Sequence, residues 1–217
     1  MLQTWSEAVT NRKFVMSIVG WCIGLVLFVT FIPYYLNGVI SEKPGIQLND
    51  YMFELLPPRD WSITIFILIF GAPALFILSN FKSPSTVLLC LQCYVTVSFI
   101  RMIAIYLFTL EAPEGIIPLI DPFLAKVAYG GNATFVKDLF FSGHTSTLFI
   151  VFLIEKKNLI KVILLLSTLL VGLFLIWQRV HYSIDVLGAI FVTWGVYWFF
   201  TKVNDRVDFK KKDFTPK

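Results

Sequence analysis

Apolar residues fall into six stretches, near 14–36, 61–80, 86–110, 139–154, 159–178 and 183–201, separated by short polar connections and two longer ones. A helix needs about 20 apolar residues to cross a hydrocarbon core of about 30 Å. The pattern therefore predicts an all-α, polytopic membrane protein with six transmembrane helices. The fourth stretch is the shortest and opens on the polar string Ser142-Gly143-His144-Thr145. Its first turn must lie at the interface or line a wet cavity, because such groups are costly against lipid.

Composition agrees with this reading. With 57% hydrophobic residues and a mean hydropathy of +0.77, the chain is too apolar for a soluble domain. The net charge of +4 is no nucleic-acid footprint, since the basic residues lie at segment ends rather than along a stripe. They read as topology signals. Twelve of the 18 Lys and Arg residues fall on one side of the six spans, five on the other, and Arg101 within a span. The positive-inside rule then puts both termini in the cytoplasm. It makes residues 1–13 a cytoplasmic N-terminus, 14–201 a six-helix membrane domain and 202–217 a basic cytoplasmic tail. The run after Arg12 and Lys13 has no small-residue cleavage site and is long enough to span, so it reads as the first transmembrane helix.

Cys22, Cys90 and Cys93 all lie in apolar stretches, so they suggest helix packing, with neither a disulfide framework nor a metal site. No cofactor is expected. The outward loop 111–138 is rich in Pro and Gly and reads either as a lid over a site or as a surface loop. Asn132-Ala133-Thr134 in it is a glycosylation acceptor triplet.

Ionisable groups at membrane depth need a reason to be there. The candidates are His144, His181, Asp185 and Arg101, and both histidines are predicted on the outward face. His181 and Asp185 are four residues apart and share one helix face. A carboxylate there can hold one ring nitrogen and leave the other as a lone pair, the arrangement of an activated nucleophile. Attack on phosphorus would give a phosphohistidine, with His144 as general acid and base because its ordinary pKa suits both directions. Ser142 and the backbone N–H of Gly143, at a helix N-terminus, offer an anion cradle. Arg101 reads either as a phosphate ligand or as a snorkelling or helix-pairing arginine, and Arg179 as a phosphate ligand or an interfacial anchor.

These strings resemble the sphingomyelin synthase family within the type-2 phosphatidic acid phosphatase superfamily. Asp138-Leu139-Phe140-Phe141-Ser142-Gly143-His144-Thr145 is similar to the family's third signature, without the Cys-Gly that precedes the Asp. His181-Tyr182-Ser183-Ile184-Asp185-Val186-Leu187-Gly188-Ala189 is similar to its fourth. Arg101, Tyr106, Thr109, Leu110, Pro113 and Gly115 follow the order of the second, and Leu48-Asn49-Asp50 keeps only the leucine and the acid of the first. The resemblance implies His181 as nucleophile, Asp185 as its partner and His144 as general acid and base. It also implies Arg101 in head-group or phosphate contact and adds Asp138 as a polar wall; Ser142, Gly143, Arg179 and Tyr182 complete the expected substrate contacts.

Members of the family move a phosphocholine or phosphoethanolamine head group from a glycerophospholipid onto ceramide at the non-cytoplasmic leaflet. The resemblance thus implies a membrane phospholipid donor and a lipid acceptor, ceramide or diacylglycerol. Phosphatases of the superfamily carry a Ser-Arg pair where Phe174 and Leu175 stand here, and a Lys-x6-Arg-Pro string that this sequence lacks. A lipid phosphate phosphatase using the same two histidines is the second reading, and a non-catalytic membrane module the third.

Overall fold

A computed structural model describes residues 4–119 and 137–206. The Asn132 triplet, most of loop 111–138 and the tail from residue 207 lie outside the described residues. The chain is an all-helical membrane protein. A short α1 (Trp5–Thr10) precedes α2 (Arg12–Tyr35), which continues through a π-helical turn (Leu36–Ile40); then come α3 (Met52–Leu55), α4 (Ser62–Asn80), α5 (Pro84–Leu107), α6 (Gly143–Ile154), α7 (Asn158–Trp177) and α8 (Ser183–Arg206). Among the described residues no strand occurs, and an isolated parallel bridge joins Ile46 to Leu110.

Among the described residues, five helical segments are long and apolar enough to cross a membrane, Arg12–Ile40, Ser62–Asn80, Pro84–Leu107, Asn158–Trp177 and Ser183–Asn204. The sixth, α6, has 12 residues. It rises only about 18 Å, well short of a bilayer core. It begins at Gly143 rather than 139 because residues 139–142 form an irregular strap, with Leu139 and Phe141 buried. Helical hydrogen bonding cannot start until Ser142 supplies an N-cap, its side chain accepting from Thr145 N. Hydropathy alone does not separate strap from helix. The periodicity also misses α1 and α3, which are too short to show a repeat.

Glu155 ends α6. It is 1% exposed, yet its Oε1 accepts from the backbone N of Lys156 and Lys157 at 2.8 and 2.9 Å, and its Oε2 from Asn80 Nδ2 at 2.8 Å. Burial alone would raise its pKa. The hydrogen bonds from the Lys157 and Lys156 backbone and from Asn80 and Ser79 outweigh burial and hold it below the ordinary 4.5. The carboxylate pins the α6–α7 turn to the end of α4. Trp5 Nε1 donates to Phe81 O at 2.7 Å and Lys157 Nζ to Ser79 O at 3.2 Å at the same end. The starts of α6 and α8 lie at the other end, with the loops after the π-helical turn and after α5.

The core lies among α4, α5, α6, α7 and α8, built on Phe76, Cys93, Val97, Leu148, Val171, Leu175, Val196 and Phe200. Cys93 is buried there and Cys90 half-buried, both as free thiols. α2 lies at the periphery against α5, with Met16, Val19, Ile23, Val26 and Leu27 exposed as expected of a lipid-facing helix. α7 and α8 approach so closely at Gly172 that a Cβ there would lie 2.9 Å from Val186 Cγ1, one residue from Asp185.

Gly172→Ala is therefore expected to destabilise the protein by about 1–3 kcal/mol through overpacking. Gly71→Ala, in α4 with nothing within 4 Å of the added carbon, should change stability by no more than about 1 kcal/mol in either direction. Thermal unfolding in detergent compares the two. Because the folded-state pKa of Glu155 is depressed, its contribution is complete above the ordinary 4.5 and is lost as pH falls through the depressed value. On acidification into that window the wild type should lose more thermal stability than Glu155→Gln, which cannot titrate.

Candidate active site

The two histidine strings meet through the backbone. Ser142 N donates to the main-chain oxygen of Asp185 at 3.1 Å, so the N-termini of α6 and α8 lie side by side. The Phe140 ring packs where a Cβ on Gly188 would come within 3.3 Å of it. His144, the second residue of α6, is half-buried beside this junction.

His181 precedes α8 and is 2% exposed, and Asp185 is fully buried. Asp185 Oδ2 lies 3.2 Å from His181 Nδ1 and accepts from Tyr182 N at 3.0 Å. An ionised carboxylate only accepts, so beside ionised Asp185 a neutral His181 carries its proton on Nδ1 and its lone pair on Nε2. Asp185 Oδ1 is buried without a partner among the described residues. Such a group is costly in a merely structural position.

Ser142 Oγ accepts from Thr145 N at 3.3 Å and from Thr145 Oγ1 at 3.1 Å. Its own proton remains to donate, so capping the helix and contacting an anion are compatible. Arg101, inside α5, does not snorkel. Its Nε donates to Phe141 O at 2.6 Å and its Nη2 to Asp138 O at 3.2 Å, and Nη2 lies 2.7 Å from Asp138 Oδ1 in a close ion pair. The guanidinium lies flush against Gly143, where a Cβ would sit 3.3 Å from both Cζ and Nε. Glycine in this string thus lets the arginine approach the start of α6.

Arg179 is held by the segments that follow the π-helical turn and α5. Its Nη1 donates to Glu114 O at 2.7 Å and its Nη2 to Phe53 O at 3.0 Å, with the guanidinium 5.4 Å from the Phe53 ring centre. Its backbone has φ 58°, left-handed for a non-glycine residue. That conformation costs about 1–2 kcal/mol, and the two loop carbonyls hold it. Gly115, itself at φ 71°, leaves room for the guanidinium, since a Cβ there would lie 3.1 Å from Arg179 Nη1.

Tyr182 is 1% exposed and faces the same loops. Its hydroxyl donates to Glu111 O at 3.0 Å and accepts from Leu48 N at 3.3 Å. Burial, reinforced by the Asp185, Asp50 and Glu111 carboxylates, pushes the phenol above its ordinary 10 despite the Leu48 bond, so it stays a donor. Glu111 in turn pairs with Lys137 at 2.8 Å.

The structure thus gathers His181, Asp185, Ser142, Gly143, Arg101, Asp138 and the His144 segment at one junction. It turns Arg179 and Tyr182 toward the loops that frame that junction. Two supporting residues were given no site role by the sequence reading. Gln178, fully buried, accepts from Trp61 N at 2.9 Å and donates to Ser62 Oγ at 2.9 Å and Ile117 O at 3.1 Å. Asp50 accepts from Ser183 N at 2.5 Å and from Ser183 Oγ at 3.0 Å. A buried glutamine at the end of an apolar run leaves little local signal, whereas Asp50 was visible as the acid of Leu48-Asn49-Asp50.

Residues 137–202 match the family model of the PAP2 superfamily C-terminal domain. The match contains both histidine strings and supports the type-2 phosphatidic acid phosphatase superfamily, with chemistry on phosphate esters. No curated protein shows significant similarity to the chain.

Arg101→Ala strands the Phe141 and Asp138 acceptors and is expected to cost about 1–3 kcal/mol. Asp138→Ala should cost a similar amount. The Arg101→Ala/Asp138→Ala double variant should cost clearly less than the sum, the sign of a direct contact. A double-mutant cycle by thermal unfolding measures the difference.

Proposed function

We propose that the protein is a lipid phosphotransferase that moves a phosphocholine- or phosphoethanolamine-type head group from a glycerophospholipid to ceramide or a similar lipid alcohol, through a phosphohistidine on His181. The His181 Nε2 lone pair attacks phosphorus, the bond from phosphorus to the diacylglycerol oxygen breaks, and His144 protonates that oxygen. In the second half the acceptor hydroxyl gives its proton to His144 and attacks phosphorus. The P–N bond breaks, and His181 is regenerated with its Nδ1–H still donating to Asp185. Ser142 Oγ–H and the first N–H groups of α6, which a helix leaves without intrahelical acceptors, receive the charge that grows on the non-bridging oxygens. The basic-residue count favours a site open to the non-cytoplasmic leaflet.

The observation that carries this reading is the charge of the site. Arg101 is neutralised by Asp138 and donates to two carbonyls of its own chain. Arg179 has no carboxylate partner among the described residues, but its guanidinium is turned away from the junction to two loop carbonyls. A phosphate monoester is close to a dianion at neutral pH and calls for uncompensated cations. A phospholipid diester carries one negative charge and suits a cradle of neutral donors. The replacement of the phosphatases' Ser-Arg pair by Phe174 and Leu175 points the same way.

Purified protein in liposomes with head-group-labelled phospholipid should transfer label to ceramide and release diacylglycerol in equal amount. His144→Ala should lower the rate by about 10²- to 10⁴-fold, and His181→Ala should abolish formation of an acid-labile phosphoenzyme. Release of phosphate or free head group at the same rate with and without ceramide would overturn the transferase reading in favour of a phosphatase.

A further inference from the structure

We infer that Asp50 is a positioning residue for His181, acting across 133 positions of sequence by capping α8. The inference rests on the reading of His181 as the nucleophile. The first N–H groups of a helix have no acceptor within it, and a helix start without a cap frays. His181 depends on that start, since the carboxylate that holds its ring belongs to the first turn of α8 and reaches back four residues at 3.2 Å. Asp185 Oδ2 also takes Tyr182 N at 3.0 Å. Ser183 N, the next N–H, is taken by Asp50 Oδ2 at 2.5 Å, while Asp50 Oδ1 accepts from Ser183 Oγ at 3.0 Å.

The same Oδ1 accepts from Met52 N at 3.0 Å, which fixes the carboxylate on its own loop at the start of α3. Two residues before Asp50, Leu48 N donates to the Tyr182 hydroxyl at 3.3 Å. Segment 48–52 therefore grips both residues that follow His181, and Asp50 is its charged contact. Its negative charge also lies at the positive end of the α8 dipole, where a carboxylate is favoured. Asp50 has no role in bond making. It keeps the first turn of α8 closed so that Asp185 meets Nδ1 and Nε2 faces the substrate.

The chain has two histidines, so ¹⁵N-histidine labelling of the full-length protein in lipid nanodiscs yields two imidazoles, assigned with His144→Gln. In the wild type His181 should show separate Nδ1–H and lone-pair Nε2 shifts. In Asp50→Ala these should collapse toward a tautomer-averaged pattern, and kcat for head-group transfer should fall about 10-fold or more with KM within about twofold, as expected of a nucleophile out of place. Asp50→Asn, which keeps one acceptor oxygen, should recover most of both signals. Glu54→Gln, an exposed change in the adjoining α3, should leave them at wild-type values.

Should Asp50→Ala lose its helical circular dichroism, Asp50→Asn and Ser183→Ala carry the test, and a partial shift of the His181 signals in either supports the inference. Wild-type His181 shifts and kcat in a folded Asp50→Ala, or in Ser183→Ala where Asp50→Ala does not fold, overturn it, and so does a raised KM with kcat unchanged, which would make Asp50 a substrate contact. The spectrum reads the imidazole whether or not transfer occurs. Collapsed His181 signals in a chain without transferase activity would keep the positioning role and remove only the functional reading.

Discussion

Asp185 is the residue on which the site is hung, and its burial is the constraint that organises what surrounds it. A carboxylate removed from water is tolerated only when donors are brought to it. Here Oδ2 receives the His181 ring and the Tyr182 N–H, and the main-chain oxygen of the same residue receives Ser142 N. One residue thereby sets the imidazole tautomer, closes the first turn of α8 and joins it to the start of α6. Helices that would otherwise be two membrane elements among several become the two walls of one site.

The irregular segments follow from this junction. Residues 138–142 cannot be helical while Ser142 serves Asp185 and caps α6, so their carbonyls need another donor inside the bundle. Arg101 is that donor, satisfying Phe141 and Asp138 from α5 and resting on Gly143. Its charge is largely cancelled by Asp138, and this leaves the cradle to hydroxyl and amide dipoles. Under the proposed function, dipoles fixed in advance suit a monoanionic phosphodiester, since they need no reorganisation as its charge shifts.

The segments that follow the π-helical turn and α5 hold the other side of the second histidine string. Arg179, Tyr182 and Ser183 each bond to residues 48–53 or 111–114. Three positions around His181 are thus tied to segments distant in sequence. At the far end of the bundle Glu155 plays the corresponding part with Asn80 and the Lys156 and Lys157 amides. Both ends rely on carboxylates that gather backbone N–H groups, because helix ends at a membrane surface leave those groups without partners.

The sequence by itself determined what depends on local periodicity and composition. Long apolar runs specify membrane helices because lipid leaves the backbone no other partner, and His181 and Asp185 at four-residue spacing share a helix face whatever the rest of the chain does. The polar Ser142-Gly143-His144 start of a short apolar run likewise signalled a helix end away from lipid. Only the tertiary structure decided that α6 stops at 12 residues, that Arg101 lies on Gly143 rather than at the lipid surface, and that Arg179 serves the loops. It alone revealed Asp50 as the cap of α8. Those outcomes depend on which distant acceptor reaches a given donor, and such pairing is set by packing between helices. It leaves no periodic trace in the sequence.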